Sequence, residues 1–110
     1  MDYSIDCRSK AAIVAVRGRV DESSWVAFGV GLSEAIEKAR EADLAAVIID
    51  LAGLEYMSSR GLRVLTVAKR EGDDAGVAVA LASPNEVMRE ILAISRYDKL
   101  FTITETVEAD

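Results

Sequence analysis

Two apolar runs limit the fold of this chain more than anything else in it: LAAVIIDL at 44–51 and VAVALA at 77–82. Each is long enough for a strand, and neither alternates with polar residues as a strand with one wet face does. Both therefore read as central strands covered on both faces. Between them lies a stretch of helical period, 58–71, followed by a GDDAG turn. Strands alternating with helices describe a mostly parallel sheet, because parallel neighbours need a helical crossover.

The flanks extend this pattern. Residues 3–8 and 11–17 (AAIVAVR) read as two short strands joined at Ser9-Lys10 in a hairpin. Cys7 alternates with Tyr3 and Ile5 and is expected to be buried. GRVDESS (18–24) is a polar loop, and Ser23 or Ser24 is placed to cap the helix that follows. In that helix Trp25, Phe28, Leu32, Ala35, Ile36 and Ala39 recur at three and four, the period of one buried stripe. Glu34 and Lys38 are spaced to pair on its wet side. SPNE (83–86) has the form of a capping box with proline at the first helical position, opening a further helix. Val87, Met88, Ile91, Leu92 and Ile94 would be its buried side, and FTIT (101–104) a last short strand. The expected architecture is α/β: one domain over 1–110, with a mostly parallel sheet of about five strands, an N-terminal antiparallel hairpin and three to four helices.

Charge and residue types narrow the function. Lys and Arg number 13 against 19 Asp and Glu, a net charge of -6, which is the wrong sign for coating a phosphate backbone. No run approaches the roughly 18 apolar residues of a membrane span, and the first ten residues carry charges where a signal peptide has an apolar core. The expectation is a cytoplasmic protein with neither nucleic acid nor membrane as a partner. One cysteine and no histidine remove internal disulfides, Cys/His zinc sites and histidine-activated nucleophiles together. No metal or cofactor is expected.

The stretch YMSSRGLRVL (56–65) places two serines at the start of the central helix. One of them serves as an N-cap. Neither has Glu or Gln three residues on, so a capping box is incomplete and the second hydroxyl has no structural task. At about 100° per residue, Ser59, Arg63, Thr66 and Arg70 fall on one polar stripe, with Leu62, Val64, Leu65 and Ala68 left for the core. Ser59 thus begins a solvent-facing ridge at the positive end of a helix dipole, with Arg60 beside it and Arg63 one turn on. A phosphate is tolerated at such a position. It would add about -1.5 to -2 charges to a surface expected also to hold Asp21, Asp50 and Glu55.

DLAGLEYMSSRGLRVL (50–65) resembles the signature of the STAS family of bacterial anti-sigma-factor antagonists, D-L-S-x-L-x-F/Y-M/I-D/S-S-x-G-L-x-x-L. GRVD at 18–21 is similar to the family's G-E-L-D loop, and ASPNEVMREILAISRYDKLF occupies the place of its last helix and strand. The resemblance implies that Ser59 is the phosphorylatable serine and that Asp21 is the loop aspartate beside it. Ser58 stands where many members have aspartate, Arg60 replaces a small or hydroxylated residue, and Arg96 replaces a frequent glycine. It further implies a switch rather than a catalyst. The unphosphorylated form would bind an anti-sigma serine kinase through Asp21, Ser58, Arg60, Arg63, Thr66 and Arg70, and so release a sigma factor. Phosphorylation of Ser59 would break the complex and a serine phosphatase would restore it, with ATP and magnesium belonging to the kinase. The alternative is a scaffold of the same fold that is never phosphorylated.

Other patterns are weaker. FGVGLS has GxG spacing but follows no strand and has no third glycine in register, so it is not a dinucleotide loop. Val26 and Val30, off the core stripe, form a small contact patch or simply exposed apolar surface. Asp50 at the end of a central strand is similar to the phospho-acceptor of a receiver domain, a minor rival. An enzyme using Ser59 with Lys69 as base is implausible, since ten helical residues separate them by about 15 Å.

Overall fold

The computed structural model describes residues 1–107. In chain order the elements are β1 (Asp2–Cys7), β2 (Ala11–Val20), α1 (Trp25–Glu41), β3 (Ala46–Met57), α2 (Ser59–Ala75), β4 (Ala78–Ala82), α3 (Glu86–Ile94), α4 (Tyr97–Leu100) and β5 (Ile103–Thr104). The five strands form one sheet in the order β1-β2-β3-β4-β5. β1 pairs antiparallel with β2 and every other pair is parallel, which is the expected α/β architecture. A receiver-type sheet has its first two strands interchanged, so the strand order removes that rival.

Among the described residues the sheet is covered by helices on one face only. Ala12, Val14 and Val16 of β2, Val47, Ile49 and Leu51 of β3 and Leu81 of β4 join Phe28, Leu32, Leu65, Met88 and Leu92 from the helices in one buried cluster. Residues of the other parity, Ala11 and Ile13, form a small second cluster with Ala46, Ile48 and Val107. The expectation of cover on both faces therefore fails. β3 alternates between buried and half-buried residues, and its far side is apolar because it is built from alanine and isoleucine.

Several boundaries move for physical reasons. AGLEYM is not a loop: β3 continues to Met57, paired with β2 through Gly53, Leu54, Tyr56 and Met57, with two register shifts. GDDAG is not a turn. α2 runs to Ala75 and stops at Gly76, whose left-handed φ of 74° suits glycine. The capping box at Ser83 is absent. Asn85 is the N-cap, accepting from the Met88 N–H at 2.9 Å and donating through Nδ2 to the Leu54 carbonyl at 2.9 Å. Ser83 has φ 58°, and its hydroxyl donates to the Glu105 carbonyl. Two bonds from one amide anchor α3 to β3, which a serine hydroxyl at 83 cannot match.

Side-chain expectations shift as well. Cys7 lies opposite Ala12, on the predicted face, but is exposed at the strand's end. Met88 and Leu92 are buried while Val87 is half out and Ile94 is 84% exposed, since the nine-residue α3 buries a narrow stripe. Glu34 accepts a hydrogen bond from the Tyr3 hydroxyl at 3.1 Å in place of the expected Lys38 partner. That bond ties β1 to α1. Among the described residues no helix is long and apolar enough to cross a membrane.

Candidate functional site

The site forms where β2 and β3 end side by side. Val20 is in register with Met57, and the next residue of β3's chain, Ser58, donates its backbone N–H to the Val20 carbonyl at 2.8 Å. This bond ties the end of β2 to the first turn of α2. Gly61 lets the turn come close, because a Cβ there would lie 2.4 Å from Met57 Cγ and 2.8 Å from Val20 Cγ1.

The two serines divide as their chemistry requires. Ser58 is the N-cap of α2 in extended backbone, and its Oγ accepts from the Gly61 N–H at 3.4 Å. Ser59 is the first helical residue and is exposed, with its hydroxyl free of any hydrogen bond among the described residues.

Asp21 follows Val20 directly and is held in place by its own loop. Its carboxylate accepts from the Ser23 hydroxyl at 2.8 Å, the Ser23 N–H at 3.0 Å and the Ser24 hydroxyl at 3.1 Å. These bonds, the Ser23 hydroxyl foremost, hold the carboxyl below its ordinary value, with Arg19 a smaller contributor. Ser24 occupies the N-cap position of α1 but makes no cap bond. Its hydroxyl instead accepts from the Asp21 N–H, and its single proton is shared between the Arg19 carbonyl and the Asp21 carboxylate. The serine cap expected for α1 is thus a loop clamp.

Arg60 reaches across to the same loop, with its Nε 3.2 Å from Glu22 and its guanidinium 5.1 Å from the centre of the Trp25 ring. Arg63, one turn beyond Ser59, is exposed and has no ion pair among the described residues. Thr66 does not stand on an open ridge. Its hydroxyl is 2.7 Å from that of Tyr97, which joins α2 to α4. Arg70 is exposed farther along the helix. Asp50 is opposite Ala15, five rungs before Val20 and so about 17 Å down the strand, too far to share a surface with Ser59. Lys69 is 3.8 Å from Asp73.

Sequence reasoning missed Glu22, the half-exposed Trp25 and the groove that they border. Between α1 and α2 runs a cleft of about 940 Å³ whose lining includes Trp25, Val26, Val30, Ser59, Arg63 and Val67. The available signal was Val26 and Val30, four apart and outside the core stripe.

The model of the STAS domain matches residues 3–109. The chain belongs to the STAS family. Solved structures similar to this STAS domain include TM1081 from Thermotoga maritima, 18% identical at a TM-score of 0.81 over 96% of this chain and 87% of that one. An anti-sigma factor antagonist from Mycobacterium paratuberculosis is 22% identical at a TM-score of 0.74 over 96% and 86% of the two chains. SpoIIAA of Bacillus, an anti-sigma factor antagonist, in its unphosphorylated form is 16% identical at a TM-score of 0.74 over 94% and 89%, and its phosphorylated form has also been solved. At these identities the likeness establishes a common fold.

Proposed function

We propose that this STAS domain is an anti-sigma-factor antagonist whose affinity for its partner is set by phosphorylation of Ser59. The observation that carries the reading is the division of labour between the serines. Ser58 is used in capping, while the Ser59 hydroxyl stands exposed at the head of α2, where the peptide dipoles and Arg63 stabilise an added dianion. Unphosphorylated, the domain binds an anti-sigma serine kinase in the cytoplasm through the Ser59 turn, Asp21, Arg60 and the exposed side of α2. Phosphorylation adds about -1.5 to -2 charges beside Asp21 and Glu22, and the complex is lost without unfolding the domain. A serine phosphatase resets it. The domain is substrate and switch, not catalyst.

That SpoIIAA exists in phosphorylated and unphosphorylated forms supports this reading by analogy. The test is phosphorylation of wild type, Ser58→Ala and Ser59→Ala by the cognate kinase. Only Ser59→Ala should escape labelling, and labelling of that variant at the wild-type level would remove the site.

A further inference from the structure

The floor of the cleft between α1 and α2 includes Gly29 of α1 and Val64 of α2. α1 contains two glycines, each of which weakens a helix relative to alanine. Packing explains Gly31, where an added Cβ would lie 3.0 Å from three ring atoms of Tyr3. It does not explain Gly29. A Cβ there would meet only the Val64 methyls, at 3.7 and 3.9 Å, in ordinary contact. Glycine at 29 leaves the floor of the cleft open, and that is its visible consequence.

The walls are apolar and wet. Val26 and Val30 of α1 are each 58% exposed and Val67 of α2 is 54% exposed, all three lining a volume within the range of small-molecule sites. Exposed valines facing one another across a cleft favour an apolar occupant. Gly29 and Val64 both lie on its floor, where the absent Cβ leaves room for a slender chain.

Charge gives the cleft a direction. At the end where both helices begin, Arg60 is committed to Glu22 and the Trp25 ring, whereas Arg63 has no ion pair among the described residues. At the other end Glu71 accepts from the Ser33 hydroxyl at 2.9 Å and repels a second anion. Arg63 and Glu71 are eight residues apart, about 12 Å along α2, a span that an extended chain of roughly ten carbons covers.

We propose that this cleft binds an anionic amphiphile, with a carboxylate at Arg63 and an aliphatic chain lying between Val26, Val30 and Val67. Ser59 lines the same end, so negative charge on that side chain excludes the ligand's head. The site itself does not depend on the role proposed for Ser59.

Trp25 is the only tryptophan in the chain and borders the cleft, so its fluorescence reports occupancy. Sodium decanoate titrated into the full chain should give a saturable blue shift. Affinity should rise up to about fourfold per methylene from hexanoate to decanoate and level off for longer chains. Arg63→Gln should weaken decanoate about tenfold, Ser59→Glu should weaken it severalfold, and Gly29→Leu should abolish the saturable change while retaining a cooperative thermal transition. Should Gly29→Leu not fold, Val30→Glu, on an exposed wall, serves in its place with the same expected loss. The proposal is overturned by the absence of saturation with decanoate, by equal binding of decyltrimethylammonium, or by unchanged affinity in Arg63→Gln or Ser59→Glu. Any of those results would leave the cleft to a protein partner.

Discussion

The backbone N–H of Ser58 donates to the carbonyl of Val20 at 2.8 Å, and through that bond the end of one parallel strand fixes the start of the helix that follows its neighbour. The Ser59 turn is consequently presented by the sheet and not by a free loop. Everything on the candidate surface, from Asp21 to Arg63, is positioned within a few residues of this link.

The two serines should separate in stability measurements. Ser58→Ala removes the N-cap of α2 and should cost about 0.5–1 kcal/mol, the low end of the usual range because the bond is long at 3.4 Å. Ser59→Ala should change stability by less than about 0.5 kcal/mol, as exposed substitutions generally do. Urea unfolding of both variants checks the assignment of cap and free hydroxyl.

Gly61→Ala tests the close approach of α2 to the strand ends. Its Cβ would collide with Met57 and Val20, both buried, and overpacking of this kind costs about 1–3 kcal/mol. On an open helix face the same change would stabilise, so the sign alone is decisive. A lowered melting temperature is expected, and a raised one would mean that the turn has room.

Arg96 holds a backbone conformation that favours glycine. Its φ is 68° at the junction of α3 and α4, a left-handed conformation that strains side chains with a Cβ. Arg96→Gly should therefore raise stability by about 0.5–1 kcal/mol, read as a shift in the urea midpoint at constant slope. A loss of stability would show that the arginine side chain contributes something beyond backbone strain.

The alternation of strands and helices, the N-terminal hairpin and the mostly parallel sheet were legible in the sequence because they follow from long apolar runs and helical periods. What escaped it was set by contacts between distant segments. The extension of β3 through AGLEYM depends on pairing with β2, and the displacement of the α3 cap from Ser83 to Asn85 depends on the Leu54 carbonyl lying within reach of the Asn85 amide. At the site, the resemblance pointed to Ser59 and Asp21 and the wheel to Arg63. The Arg60–Glu22 pair and the cleft under Val26 and Val30 require α1 and α2 to lie side by side, which no single helix's period reveals. Thr66 shares the stripe with Ser59 on the wheel, yet α4 supplies Tyr97 to claim it.

The Tyr3–Glu34 bond makes stability depend on pH in the alkaline range. The hydrogen bond to Glu34, then burial and the carboxylate charge, raise the phenol above its ordinary 10.0. A raised folded-state value means that the contribution is full below 10.0 and is lost as pH rises through the higher folded value. Wild type should exceed Tyr3→Phe in stability at neutral pH, and the gap should close in strongly alkaline buffer. A gap that stays constant would indicate that the hydroxyl's contribution is not linked to its proton, and no gap at neutral pH that it contributes nothing.

The central claim is that Ser59 is the hydroxyl at which this domain is switched. Site-resolved mass spectrometry of the protein recovered from its native cells tests it most directly. A phosphate on Ser59 is expected, in a fraction that varies with growth phase, and none on Ser58. Protein that carries no phosphate under any growth condition, or carries it on Ser58 alone, would contradict it.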